Sequence, residues 1–201
     1  MNILRKALLL GALILGGAAS SHAQFIGFSV DSAIGYTMSQ STVSGGSVGI
    51  THPVPFVPNL GYSTLRFKDD EASYYDSSNN RATITTTMAI QSYHLFYHVP
   101  FPVVSMALGF GLGSASITNE YGGTNLTGEG VQSVPLSEGF IRIGLPLWSF
   151  IEFHLGYHAF SMAKVDLLKG SGYASNVATQ YNIEERNYTG GMTTVGLQFA
   201  F

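Results

Sequence analysis

Several stretches of this chain alternate strictly between large apolar residues and small or polar ones, and this alternation restricts the fold more than any other feature of the sequence. In residues 104–112 every second residue is large and apolar, and those between are Ser, Ala or Gly. The same period recurs in residues 151–159 and 195–201. A period of two is that of a β-strand with one apolar face. The sequence therefore predicts an all-β protein.

The length of these stretches indicates where the apolar face is buried. Strands of soluble sheets are usually about five or six residues long, whereas a tilted strand needs about 9–11 residues to cross a bilayer. In lipid every backbone N–H and C=O group must be paired within the protein, so a membrane sheet has to close on itself. We therefore expect a transmembrane β-barrel with apolar side chains outside, including Val104, Leu108, Phe153 and Leu155, and small or charged ones inside.

Proline clusters divide the chain at nearly even intervals. Pro53, Pro100 and Pro146 are separated by 47 and 46 residues, and each interval can hold a strand, a polar loop and a returning strand. Proline cannot donate to a β-ladder, so it is expected between strands rather than within them. Short apolar turns on one side and long polar loops on the other are typical of outer-membrane barrels, whose short turns face the periplasm. The predicted periplasmic turns contain Pro53, Pro55, Pro58, Pro100, Pro102 and Pro146.

The strand count is predicted to be eight, arranged as an antiparallel up-and-down transmembrane β-barrel. An even number brings both ends of the chain to the periplasmic side. The predicted strands are residues 27–38, 46–52, 59–67, 83–98, 103–117, 134–145, 150–165 and 187–201. The fourth changes the parity of its apolar residues midway, which predicts a β-bulge near Gln91.

The amino-terminal segment is expected to be removed. Arg5 and Lys6 precede an apolar run that ends in small residues at Ala23, which is the pattern of a secretory signal peptide cleaved after that alanine. Residues 1–23 are therefore predicted to be a signal peptide and residues 24–201 the barrel. The chain has no cysteine, which excludes disulfides and a lipid-modified cysteine. Removing the two signal-peptide cations from nine leaves seven against twelve acids, a balance of −5 that argues against nucleic-acid binding.

Charged residues on the predicted inner face are the candidate functional site. An eight-stranded barrel has an interior just wide enough for side chains to fill it, and charges removed from water must be paired. We therefore predict a structural polar network. If the sixth and seventh strands pair through a turn at residues 146–149, Arg142 lies opposite His154, Glu138 lies opposite His158, and Glu152 is diagonal to Arg142. The predicted interior network is Asp31, Glu138, Arg142, Glu152, His154 and His158, and Lys164 is also expected to point inward.

No metal or cofactor is predicted. Residues four apart in a strand are roughly 13–14 Å apart, which is too far for His154 and His158 to bind one small ion without His94 or His98 from another strand. No glycine-rich phosphate loop is present, and "GFGLG" at residues 109–113 is interpreted as an inward column of glycines that gives space to bulky neighbours.

The carboxyl-terminal sequence "TVGLQFAF" resembles the assembly signal of outer-membrane proteins. In that pattern a polar residue, a glycine and two alternate aromatic residues end the last strand, here Thr194, Gly196, Phe199 and Phe201. The resemblance implies recognition by the barrel-assembly machinery. The whole mature chain resembles small barrels of the OmpA and OmpX type, and "HPVPFVPN" resembles a turn in another group of small outer-membrane proteins that implies no defined activity. The chain has no room for the peptidoglycan-binding domain of the OmpA type.

From the sequence as a whole we predict an integral, monomeric protein of the bacterial outer membrane with a structural or surface-interaction role, and we expect no enzymatic activity. Its partners would be outer-membrane lipids and lipopolysaccharide, with loops such as residues 68–80 reaching sugars or other partners outside the cell.

Three alternatives remain open: a narrow pore, a soluble lipocalin-like barrel, and an enzyme that modifies lipid A. The enzyme's candidate rim residues would be Ser116, Glu120, Ser161 and Asp166.

Overall fold

The structure, a computed structural model, describes residues 26–36, 43–50, 57–68, 71–101, 103–123, 125–148, 150–172 and 175–200. These residues form nine strands and one helix. The elements are β1 Ile26–Tyr36, β2 Val43–Ile50, β3 Asn59–Lys68, β4 Ala72–Tyr75, β5 Arg81–Pro100, β6 Ser105–Gly123, β7 Gly128–Trp148, β8 Ile151–Met162, α1 Ser175–Tyr181 and β9 Gly190–Ala200. The predicted signal peptide, with Ala23, lies outside the described residues, as do Pro53, Pro55, Pro102 and Phe201.

Eight of these strands close into an antiparallel barrel, as predicted. The sheet runs from β3 through β2, β1, β9, β8, β7 and β6 to β5, and pairing of β3 with β5 completes the ring. The ninth strand, β4, pairs only with β5 and extends the β3–β5 hairpin beyond the barrel. It was not predicted, and neither was α1, because both lie in segments interpreted as polar loops.

The two ends of the barrel differ. The connections β5–β6 and β7–β8 are short and carry exposed apolar residues such as Phe101 and Trp148, and this is called the turn end. At the opposite, loop end, β5, β6 and β7 have 20, 19 and 21 residues and reach well past their neighbours. The segment between β8 and β9, which contains α1, packs against the inside of this taller wall through Leu167, Tyr181 and Tyr188.

The interior of the loop half is mainly apolar, which corrects the expectation that only small and charged residues point inward. One cluster of buried side chains fills it. Its members within the barrel strands are Val43, Leu65, Phe67, Ala82, Ile84, Met88, Ile90, Ala115, Ile117, Tyr121, Val134, Leu136, Phe160, Met162 and Met192. The segment between β8 and β9 closes over these residues, so the loop half has a hydrophobic core like that of a soluble protein.

The predicted bulge near Gln91 is wrong. β5 pairs without a change of register with both β3 and β6, and its even-numbered residues are buried from Ala82 to Phe96. Its large apolar residues change parity because the apolar surroundings change sides: Met88 and Ile90 face the interior core, whereas Tyr93 and Leu95 face outward. Register shifts occur instead between β1 and β9, and between β7 and β8 near Pro146.

The exterior of the turn half is apolar, as predicted. Leu108, Phe153 and Leu155 are 42%, 38% and 48% exposed, so they do not pack into a central nucleus. The same surface continues around the ring. Its other strongly exposed members on the strands include Val30, Val48, Ile50, Leu60, Tyr93, Leu95, Tyr97, Phe110, Leu112, Ile141, Ile143, Leu145, Leu147, Tyr157 and Leu197. We call this ring the apolar belt. Within the described residues, no helix has the length and apolar character needed to cross a bilayer.

Candidate functional site

A cluster of polar side chains lies inside the barrel, directly below the apolar core. Its centre is the carboxylate of Glu138 on β7, which is 1% exposed. Because an ionised carboxylate only accepts hydrogen bonds, the groups around it must donate. Ser92 Oγ donates to Oε2 at 2.5 Å and His94 Nε2 donates to the same oxygen at 2.9 Å. His158 Nδ1 donates to Oε1 at 2.6 Å. We call these residues the Glu138 cluster.

Ser63 on β3 extends the Glu138 cluster to a fourth strand. Its Oγ lies 3.0 Å from Ser92 Oγ and 3.3 Å from His94 Nε2. Ser92 uses its proton for Glu138, so Ser63 donates to Ser92. The bonds to Glu138 require the Nε2–H tautomer of His94 and the Nδ1–H tautomer of His158 if these rings are neutral. The cluster thus connects strands on opposite sides of the lumen.

Glycine on β6 makes this connection possible. His94 reaches Glu138 across Gly111, which pairs with both residues in the sheet. A methyl group at Gly111 would overlap the ring of His94, and one at Gly109 would overlap the ring of Phe140. The predicted inward glycines therefore give space to bulky neighbours, as the sequence indicated.

Aromatic rings line the turn side of the Glu138 cluster. Phe140 contacts His94 edge-on at a centroid distance of 5.1 Å and stacks with His158 at 5.5 Å. Phe96 lies next to Phe140 at 6.4 Å. Together with the apolar core above, these rings surround the carboxylate with apolar groups, so its three donors are what stabilises its charge.

A second group of polar residues lies nearer the turn end. Arg142 donates from Nη1 to Gln198 Oε1 at 3.3 Å, and its guanidinium lies 5.8 Å from the Phe140 ring centre. Ser105 Oγ donates to Glu152 Oε2 at 2.5 Å. His154 is completely buried at the same end of the barrel.

The strand register that sequence reasoning gave these residues is wrong by two positions. Arg142 lies opposite Gly156, and Glu138 lies opposite Phe160. His154 faces Gly144, and Glu152 faces Pro146, so Glu152 is not diagonal to Arg142. The β7–β8 turn is displaced: Trp148 pairs with Ile151 and the register shifts between Pro146 and Trp148. A shift of two preserves the face of every side chain.

The positions of the remaining predicted residues follow from the strands. Asp31 is in β1 opposite Gly45 and Gly196, but its side chain lies outside the described part of the structure. Lys164, expected to point inward, is exposed beyond the end of β8 because the strand stops at Met162.

Several partners of these residues were missed. Ser63, Ser92, Ser105, His94 and Gln198 all contact a predicted network residue or its direct partner. Two features of the sequence could have identified Ser92 and His94. Both residues have the inward parity of their strand, and both lie beside the glycine column of β6.

The described residues contain no group of three or more His, Asp or Glu side chains that could hold a metal ion. Two of the candidate rim residues of an enzyme, Ser116 and Glu120, are exposed on β6 at positions of outward parity. The Asp166 carboxylate accepts the backbone N–H of Leu168.

The residues of the predicted carboxyl-terminal signal lie on β9. Thr194 is buried, and Gly196 pairs with Asp31 of β1 and with His154 of β8. Phe199 pairs with Phe28 and Ile151 near the turn end. β9 therefore completes the ring between the first and the eighth strand.

No protein family's sequence profile matches the chain, and no curated protein matches it. Two solved structures are similar in fold. The Neisserial surface protein A has a TM-score of 0.56 and 14% identity, covering 90% of this chain and 99% of that one. A major outer membrane protein from Thermus thermophilus has a TM-score of 0.61 and 13% identity, covering 88% of this chain and 99% of that one. The chain thus has the fold of small outer-membrane β-barrels.

Proposed function

We propose that this chain is an integral protein of the bacterial outer membrane, in which a closed barrel holds a folded structure at the cell surface. The apolar belt is the observation that carries this proposal. Large apolar side chains such as Phe110 and Leu112 are 55% and 61% exposed, which is unfavourable in water over so continuous a surface. Hydrocarbon around the barrel removes that cost.

The height of the belt fits a bilayer. Nine residue steps separate Val103 at the turn from Leu112 on β6. At about 3.4 Å per residue and a tilt of 35–45°, this corresponds to roughly 22–25 Å along the barrel axis. The apolar band of known outer-membrane barrels is about 25 Å tall. The turn end would then face the periplasm and the loop end the outside of the cell.

The filling of the lumen supports a structural or surface role over a pore. The apolar core occupies the loop half, the Glu138 cluster lies below it, and Phe96 and Phe140 follow. Continuous water along the axis would have to pass all three layers. We therefore expect no conductance. A lipocalin-like cup, which needs a free apolar cavity, is also disfavoured because these side chains occupy the interior.

We further propose that the protein is not an enzyme. The Ser and His side chains of the Glu138 cluster are enclosed between the apolar core and the Phe96–Phe140 rings, and Ser92 gives its proton to a carboxylate rather than to a histidine. A nucleophile needs a base within hydrogen-bond reach and a path for substrate, and this cluster lacks such a path.

The exposed part of the loop end is the proposed surface-interaction region. The β4–β5 hairpin carries Tyr75, which is 54% exposed. Arg81 and Glu71 form a salt bridge of 2.8 Å beside it. Gln180 on α1 donates to Asp76 at the hairpin tip, which connects the hairpin to the β8–β9 segment. Rigid tyrosine side chains supply contact area at low entropic cost. Lipopolysaccharide and outer-leaflet lipids would surround the barrel below.

Fractionation of cells and heat-modifiability on SDS gels test the proposal. We expect the protein in the outer-membrane fraction, as a monomer whose unboiled form migrates differently from the boiled form. Recovery in the soluble periplasm with unchanged mobility would contradict it. In planar bilayers, the purified protein should give no steady conductance, and open channels of the wild-type protein would instead indicate a pore.

A further inference from the structure

Two basic side chains stand on the outer wall of the barrel just beyond the apolar belt. Arg66 and Lys68 are exposed on β3, where they alternate with Leu65 and Phe67, each 3% exposed. Their parity is therefore outward. Among the described strands Arg81 is also basic and exposed, but it is paired with Glu71.

The height of this pair relates it to the lipid headgroups. The aromatic rings of Tyr62 and Tyr93, with centroids 5.2 Å apart, mark the upper edge of the belt on β3 and β5. Arg66 lies four residues beyond Tyr62. At about 3.4 Å per residue and the usual strand tilt, its Cα is roughly 10 Å above that edge. Long basic side chains at such a level reach the interface between hydrocarbon and water.

The outward positions beside the pair on β2, β5 and β6 carry no acid and are rich in hydroxyl and amide groups. The exposed acid Glu71, three residues beyond Lys68, forms a salt bridge with Arg81. Arg66 lies between Ser44 on β2 and Ala89 on β5, and Lys68 lies opposite Thr87. Further outward-facing residues at this level are Thr64, Gln91, Ser114, Ser116 and Thr118. On the described part of β6, the first outward-facing acidic residue beyond this level is Glu120, two residues past Thr118.

We propose that Arg66 and Lys68, with the hydroxyl-rich rows beside them, bind the phosphorylated sugar headgroup of an outer-leaflet glycolipid. The two cations complement the phosphates, and the hydroxyl and amide side chains can hydrogen-bond to the sugar. Basic groups just outside a hydrocarbon core are a recognised feature of anionic headgroup binding. This inference depends on the proposed membrane location.

Lipid binding to the purified barrel in neutral detergent tests the proposal. The thermal midpoint of unfolding would be followed during titration with bisphosphorylated lipid A, dephosphorylated lipid A or phosphatidylglycerol. The variant Arg66→Gln/Lys68→Gln should bind bisphosphorylated lipid A about 30-fold more weakly, and each single change about 5-fold more weakly, since each cation near an anionic surface contributes a comparable share. Arg81→Gln is the matched control and should bind like wild type.

Equal affinity of the double variant and wild type would overturn the proposal. So would binding of dephosphorylated lipid A or phosphatidylglycerol as tight as that of the phosphorylated glycolipid. Asp69 and Asp70 follow Lys68 in the sequence and lie outside the described residues. Asp69→Asn/Asp70→Asn should bind at least as tightly as wild type, and weaker binding would show that acids bridged by cations hold the lipid instead. Heat-modifiability of every variant separates these outcomes from failure of the membrane assignment.

Discussion

Replacing Glu138 by alanine should destabilise the barrel more than any other single change of an acidic residue in the described strands. The side chain is 1% exposed and accepts hydrogen bonds from Ser92, His94 and His158. Alanine removes the acceptor and leaves the donors inside an apolar surrounding. Ser92 and His94 remain 2.7 Å apart and can still bond to each other. The His158 Nδ1–H has no such substitute among the described residues.

The magnitude follows from these contacts. Removing one partner of a buried charged interaction costs about 3–5 kcal/mol, and hydrogen bonds to charged groups contribute about 1.5–3 kcal/mol each. Because Ser92 and His94 can compensate each other in part, we expect a loss of about 3–5 kcal/mol for Glu138→Ala. Glu138→Gln keeps the volume and one carbonyl acceptor, so about 1.5–3 kcal/mol is expected.

Urea unfolding in lipid vesicles, read from the folded band on unboiled SDS gels, measures the free energy of unfolding. Glu129→Ala is the matched control, because Glu129 is an exposed residue of the same strand opposite Glu120. It should change the stability by no more than about 0.5 kcal/mol. If Glu138→Ala is as stable as Glu129→Ala, the cluster does not hold the strands together, and ion conductance appearing in that stable variant would identify a gate.

Three further predictions concern other parts of the barrel. Gly111→Ala should lower the thermal midpoint or prevent folding, because the added methyl group overlaps the ring of His94; a midpoint equal to wild type would show that the ring moves away freely. Leu108→Lys places a charge near the middle of the apolar belt and should cost about 2–4 kcal/mol in vesicles. Ser116→Lys on the same face of β6 should cost less than about 1 kcal/mol, and equal costs would refute the assigned membrane boundary. Hydrogen bonds from the Asn80 side chain and backbone, with smaller contributions from Gln180 and Ser78, keep the pKa of Asp76 below its usual range. The stability that these bonds add is therefore present above the pKa of Asp76 in the unfolded chain. It is lost as the pH falls through the pKa of Asp76 in the folded protein. Asn80→Ala should raise the pKa of Asp76 in an NMR titration, and an unchanged pKa would contradict this cause.

The ring of strands could be predicted because alternation and length report local properties of each segment. The alternation in residues 105–112 is visible without knowledge of their neighbours, and only closure of the sheet satisfies the backbone of such strands in lipid. Ends of strands were less predictable. β6 extends beyond its predicted end to Gly123, and β7 begins before its predicted start, at Gly128. In these parts outward residues such as Glu120 and Glu129 are charged, and large apolar residues no longer alternate with small ones. The sequence there is typical of a surface loop.

Alternation defines two faces, but it does not say which face points inward. In the lower half of β5 the apolar face, with Tyr93 and Leu95, is the outer one. In the upper half the apolar face, with Ile84 and Met88, is the inner one. Both arrangements have the same cause, which is that apolar groups leave water. In the lower half they contact the hydrocarbon outside the barrel, and in the upper half they contact the core inside it. The predicted bulge assumed that the apolar environment stayed on one side.

The Glu138 cluster lies where these two arrangements meet, and its position has a physical reason. Above it, inward side chains are mostly apolar and outward ones mostly polar. Below it, the outer face is the apolar belt, and the interior holds the Phe96 and Phe140 rings together with polar residues. At this boundary neither face of the sheet is uniformly apolar or uniformly polar. The shape and hydrophobicity of the side chains therefore specify the strand register only weakly. A carboxylate that accepts hydrogen bonds from Ser92 on β5 and from His158 on β8 at once links three strands at one height. Slipping β7 by two residues would move Glu138 about 7 Å along the strand relative to Ser92 and His94. We therefore expect the Glu138 cluster to favour the observed register of β7, which the belt and the core alone specify weakly.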